Sequence, residues 1–99
     1  MLSSFLAWAR QVQANRGLKK IEVLLTEGPK SDNPSARLDI DTPTSVARIT
    51  CWESGDYDAE VIDIETEKTI YSSHGVLDAR QAIAQQVSAF LEALEIETK

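Results

Sequence analysis

From Lys19 to His74 the chain alternates apolar and polar residues in short runs, and turn-forming breaks separate the runs. A period of two puts successive side chains on opposite faces of a strand, so this stretch reads as sheet. The first run, Lys19 to Glu27, sets Ile21, Val23 and Leu25 against Glu22, Leu24 and Thr26. Gly28-Pro29-Lys30-Ser31-Asp32-Asn33-Pro34 interrupts it, because two prolines and the Asp-Asn pair oppose regular pairing. Ala36 to Asp41 is a shorter strand with Leu38 and Ile40 inward, and Thr42-Pro43-Thr44-Ser45 turns the chain again. Val46 to Glu53 is rich in β-branched and aromatic residues. Ala47, Ile49 and Cys51 form its core face, which leaves Trp52 with Val46, Arg48 and Thr50 on the other. Ser54-Gly55-Asp56 is a hairpin turn, with Gly55 supplying a positive φ. In Tyr57 to Glu65, Tyr57, Ala59 and Val61 share one parity and Ile62 and Ile64 the other, so a β-bulge near Val61–Ile62 is expected to reconcile them. Thr66-Glu67-Lys68 leads to a fifth strand, Thr69 to His74. Parallel neighbours would need crossovers of about a dozen residues, so these short breaks predict an antiparallel meander.

Two helical patterns flank the sheet. Ser3 or Ser4 is a candidate N-cap, and Phe5, Trp8, Ala9 and Val12 then fall on one helical face, with Leu2 and Leu6 widening it. Gly17 is the expected C-terminal stop, with Arg16 suited to the helix dipole there. After the sheet, Gly75 is expected to end the last strand. Asp78 is the expected N-cap, with Gln81 completing a capping box. Ile83, Val87, Phe90, Leu91 and Leu94 make a second apolar stripe, and residues 95–99 are expected to fray. The predicted architecture is α+β in a single domain, 1–99: about five antiparallel strands, an N-terminal and a C-terminal helix packed on one face, and an open opposite face.

At 99 residues and 11.0 kDa the chain is the size of one core. No apolar run reaches the ~20 residues of a membrane span. The apolar stretch Met1 to Trp8 lacks a preceding basic region, so no secretory signal is expected. A single cysteine, Cys51, cannot form an internal disulfide or a multi-thiolate metal site, which favours a cytoplasmic protein. The net charge of −6 argues against nucleic acid as a partner. The charge is also segregated. Arg10, Arg16, Lys19 and Lys20 stand alone in the first 20 residues, whereas Glu53, Asp56, Asp58, Glu60, Asp63, Glu65 and Glu67 stand in an interval without a base. That acidic block is either a solvated face or a surface that steers toward a basic partner.

Catalytic chemistry is not assembled by the sequence. The single histidine, His74, follows Ser72-Ser73 without a nucleophile-elbow pattern. Cys51 lies inside a strand, beside no cation that would activate it. Asp39/Asp41 and Asp56/Asp58 are same-face carboxylate pairs, but the glycine and terminal glutamate of a calcium loop are missing. No glycine-rich phosphate loop occurs. Neither an enzyme, a cofactor nor a metal is expected.

Binding chemistry is better represented. Trp52 and Tyr57 flank the tight hairpin, with Glu53, Asp56, Asp58 and Glu60 around them. Large aromatics bury much area at little entropic cost, and an acidic rim fixes orientation. These six residues are the candidate partner-binding set. The alternative for Trp52 is simple packing on the open face.

The chain resembles the TriTu family of immunity proteins of bacterial polymorphic-toxin systems. The resemblance rests on the order of elements in a short acidic protein: the Phe5/Trp8 helix, a meander containing Trp52-Glu53-Ser54-Gly55-Asp56-Tyr57-Asp58-Ala59-Glu60-Val61-Ile62-Asp63, and a closing helix to Leu94. It implies a cytoplasmic inhibitor of an Rhs-type toxin associated with type VI secretion. That toxin ADP-ribosylates elongation factor Tu and so stops translation. It further implies a 1:1 complex in which the toxin's NAD or target-docking cleft is covered, with no catalysis by the inhibitor. A small acidic secretion chaperone or adaptor that binds an effector is the competing class, and a small enzyme or ligand-binding domain is a third.

Overall fold

The structure is a computed structural model that describes residues 1–14 and 21–94. Gly17, Arg16, Lys19-Lys20 and the tail after Leu94 lie outside the described residues. The chain order is α1 (Leu2–Ala14), β1 (Glu22–Glu27), β2 (Ser35–Asp41), β3 (Ser45–Trp52), β4 (Asp56–Asp63), β5 (Thr69–Val76), α2 (Ile83–Gln86) and α3 (Ser88–Ala93). The strands form one antiparallel sheet in the order β1-β2-β3-β4-β5, the expected α+β meander.

Register sorts the side chains. Leu25, Leu38, Ile49, Ala59 and Ser73 lie in one row across the sheet, and Val23, Ile40, Ala47, Val61 and Tyr71 lie in the next. On this face Leu38, Ile40, Ile49, Cys51 and Val61 are wholly removed from solvent. Each large aliphatic buried so contributes about 1.5–3 kcal/mol of transfer free energy. α1 covers β1 to β3 with Phe5, Trp8 and Ala9, and α3 covers β4 and β5 with Phe90 and Leu91. Two tilted aromatic pairs line this layer, Phe5–Trp8 at 5.6 Å and Tyr71–Phe90 at 6.3 Å between centroids.

Four local expectations are corrected, and a fifth, the β-bulge, is met in position. Ser3 and Ser4 do not cap α1: the helix already runs from Leu2, and both serines are exposed within its first turn. The irregularity does fall at Val61/Ile62, but in the pairing with β5, where Val61 faces Tyr71 and Ile62 faces Thr69, making Ile70 the extra residue. β3 and β4 pair without a shift, so Ile62 stays on the open face and Ile64 remains exposed. Gly75 does not end the sheet but sits within β5 opposite Tyr57. A Cβ there would stand 3.3 Å from the Tyr57 ring, so the missing side chain makes room for the tyrosine. Asp78 does not cap a helix with Gln81. It pairs with Arg80 at 3.1 Å, and Gln86 reaches back to accept from the Asp78 N–H at 2.7 Å and donate to its carbonyl at 2.8 Å. The C-terminal stripe is therefore carried by two short helices broken at Val87, whose φ/ψ of −110/18 leaves the helical region. All five stripe residues are buried as expected.

Candidate functional site: the open face of the sheet

No described helix packs on the second face of the sheet. Its rows follow from the register. Leu24, Asp39, Arg48, Glu60 and Ser72 form one, and Thr26, Arg37, Thr50, Asp58 and His74 form the next. Glu22, Asp41, Val46, Ile62 and Thr69 form a third toward the β2–β3 end. A shallow concavity of about 730 Å³ runs across these rows, lined among others by Asp39, Asp41, Arg48, Asp58, Glu60 and His74.

Charge on this face is unevenly balanced. Arg37 Nε donates to Asp39 Oδ2 at 3.0 Å, and Arg48 Nε donates to Asp39 Oδ1 at 2.7 Å. One carboxylate thus holds both guanidiniums. Such exposed pairs stabilise folding by at most about 1 kcal/mol each, so their larger effect is positional. Asp41, Asp58 and Glu60 form no ion pair among the described residues. A field from like charges with few local counterions attracts a basic surface and orients it.

The hairpin end is built more firmly. Asn33, from the β1–β2 loop, accepts from the Ser54 N–H at 3.0 Å through Oδ1 and donates to Ser54 Oγ at 3.3 Å through Nδ2. Ser54 Oγ donates to Asp56 Oδ2 at 2.7 Å, and Glu53 N–H donates to the Pro34 carbonyl at 2.8 Å. Gly55 takes φ 96°, as the tight turn requires. Two loops are thereby tied together beside Trp52, which is half-buried at the end of β3.

Of the six residues expected to form a site, four converge here: Trp52, Asp56, Asp58 and Glu60 share the open side. Two do not. Tyr57 stands on the helix-covered face, packed against the core, with its hydroxyl 3.0 Å from Ser73 Oγ. Glu53 lies at the turn and accepts from the Met1 amino group at 3.2 Å, which draws it toward α1. The sequence places Arg48 with Trp52 on the open face and pairs Asp39 with Asp41, but Arg37, Asp39, Asp41, Arg48 and His74 are not in the expected contact set. The alternation of β2 around Leu38 and Ile40 was the signal that placed its acids outward.

Among the described residues no cluster of three or more histidine, cysteine or acidic side chains could hold a metal. Cys51 is buried on the opposite side, where desolvation pushes its thiol up to about 11 and keeps it protonated. No described helix is long and apolar enough to cross a membrane.

Comparison with protein-family models matches residues 3–93 to the family described as Immunity protein TriTu. The chain belongs to the TriTu immunity-protein family. The match runs from α1 to the end of α3, so it takes in the whole sheet and both of its faces. No curated protein matches the chain. Membership of TriTu makes the general role immunity, and so implies a toxin protein as the partner.

Proposed function

We propose that this TriTu protein is a stoichiometric inhibitor that binds an ADP-ribosyltransferase toxin with the open face of its sheet. The observation that carries the proposal is the grouping of Asp58, Glu60 and Asp41, unpaired among the described residues, on a face that ends at Trp52. Trp52 anchors, the carboxylates steer and orient, and the bound toxin loses access to its NAD or its target. Elongation factor Tu is the proposed target, the complex is 1:1, and it forms in the bacterial cytoplasm. The inhibitor supplies no catalytic group.

The size of the face bears on how binding is achieved. Strand spacing of ~4.8 Å and a rise of ~3.3 Å per residue make it roughly 24 by 26 Å in projection. A standard interface removes roughly 800 Å² from each partner. Contact is therefore expected to extend from the face onto the hairpin tip or a sheet edge.

The test is co-purification with the toxin domain encoded beside the gene, followed by NAD-dependent modification of elongation factor Tu. An equimolar complex with modification abolished supports the proposal. A complex that leaves modification intact points instead to an adaptor or chaperone, and no complex at low salt overturns the pairing.

A further inference from the structure

The two edges of the sheet are not equivalent. The Gly28 N–H donates to the Ser35 carbonyl at 2.8 Å, so alternate residues Val23, Leu25 and Glu27 turn their backbone groups outward from β1. α1 attends to that edge: Gln13 Nε2 donates to the Val23 carbonyl at 3.4 Å. β1 also carries Glu22 and Glu27 at its ends, and edge charges discourage pairing.

β5 has no such cover. The Leu77 N–H donates to the Gly55 carbonyl at 2.8 Å, so Leu77, Gly75 and Ser73 turn inward to β4. By alternation Ser72, His74 and Val76 direct N–H and C=O groups outward. All three residues are exposed, and no described residue bonds to those groups. β5 holds neither proline, lysine nor acid to blunt its edge, and its bulge, at Ile70, lies before the outward-facing stretch Ser72 to Val76.

We propose that the outer edge of β5 takes up an extended segment of the toxin as a sixth strand; this rests on the immunity reading above. The geometry specifies the segment. Its residues on the open side lie beside Ser72 and His74, one strand beyond Glu60 and Asp58, and so are lysine or arginine. Its alternate residues lie beside Tyr71, whose ring packs on Phe90, and so are apolar. A second copy of this chain fits poorly, because it brings another net charge of −6 and no basic row. Main-chain pairing gives affinity in this mode and alternate side chains give specificity.

Residue-resolved amide exchange tests the assignment. In the free protein the amides of Ser72, His74 and Val76 exchange quickly while those of Ser73 and Gly75 are protected. Slow exchange of all five in the free monomer shows the edge already closed and overturns the proposal. With the toxin domain bound, the outward amides slow by about tenfold or more. His74→Pro, which removes an outward donor but no bond to β4, weakens the complex by about tenfold with an unchanged circular dichroism spectrum. A neutralising complex in which the outward amides exchange as before overturns strand addition and leaves the immunity reading standing. If the toxin domain does not bind at all, a peptide of alternating lysine and valine decides for the edge alone. Protection of Ser72, His74 and Val76 by it, and not by a glutamate–valine peptide, supports the assignment. No protection at millimolar peptide overturns it.

Discussion

Asp39 is the residue on which the charge of the open face turns. It holds Arg37 and Arg48 at 3.0 and 2.7 Å, and Asp39→Asn releases both cations beside Asp58 and Glu60. Folding stability is expected to change by less than about 1 kcal/mol, because the pairs are exposed. Association with a basic toxin is expected to slow, since one acid is lost and two cations are freed; stopped-flow association rates check this. Cys51 offers a prediction of a different kind. Its thiol stays protonated to about 11 in the folded chain, whereas the unfolded thiol ionises near 9.0. Through that window the unfolded state holds fewer protons, so stability falls as pH rises from about 9 to about 11. The part of that slope owed to Cys51 is expected to be lost in Cys51→Ala, measured by urea unfolding across that range. Under native conditions a thiol reagent is expected to modify Cys51 only as fast as the protein opens. In the core, Leu38→Ala removes a fully buried side chain at the centre of the sheet and is expected to cost about 2–5 kcal/mol.

At the scale of elements, the turns decide how well the face is held. Asn33 ties the β1–β2 loop to the β3–β4 hairpin through Ser54. Asn33→Ala is expected to destabilise by about 1 kcal/mol, seen as a lower urea midpoint with an unchanged m-value. Glu67, in the β4–β5 turn, takes φ 60°, a conformation that costs a non-glycine residue about 1–2 kcal/mol. Glu67→Gly is therefore expected to raise the melting temperature. The strands and their faces were legible in the sequence because alternation is a local signal, as Ala47, Ile49 and Cys51 illustrate. Tyr57 was harder to place. Its parity groups it with Ala59 and Val61, whereas its size and its place beside the acidic hairpin make it a candidate anchor, and only the space over Gly75 shows how the ring is accommodated. The break at Val87 and the reach of Gln86 to Asp78 depend on contacts between distant residues, which a helical stripe does not encode.

At the scale of the whole molecule, the helix-covered face supplies the core and the open face is the proposed recognition surface. Four of the six anticipated contact residues lie on the open side because β3 and β4 pair in unbroken register. The remaining two face α1 or the core, so the proposed contact surface extends toward β2 and β5 rather than around the hairpin to Tyr57. Interaction through this face is expected to weaken as salt is raised, since the steering charges are exposed. The most direct test is the affinity of the toxin domain for a variant carrying Trp52→Ala, Asp58→Asn and Glu60→Gln, set beside Tyr57→Phe. The first is expected to stay folded and lose about a hundredfold or more in affinity. Tyr57→Phe, altered only on the covered side, is expected to bind as the unmodified chain does. A folded triple variant that retains full affinity would contradict the assignment of the open face.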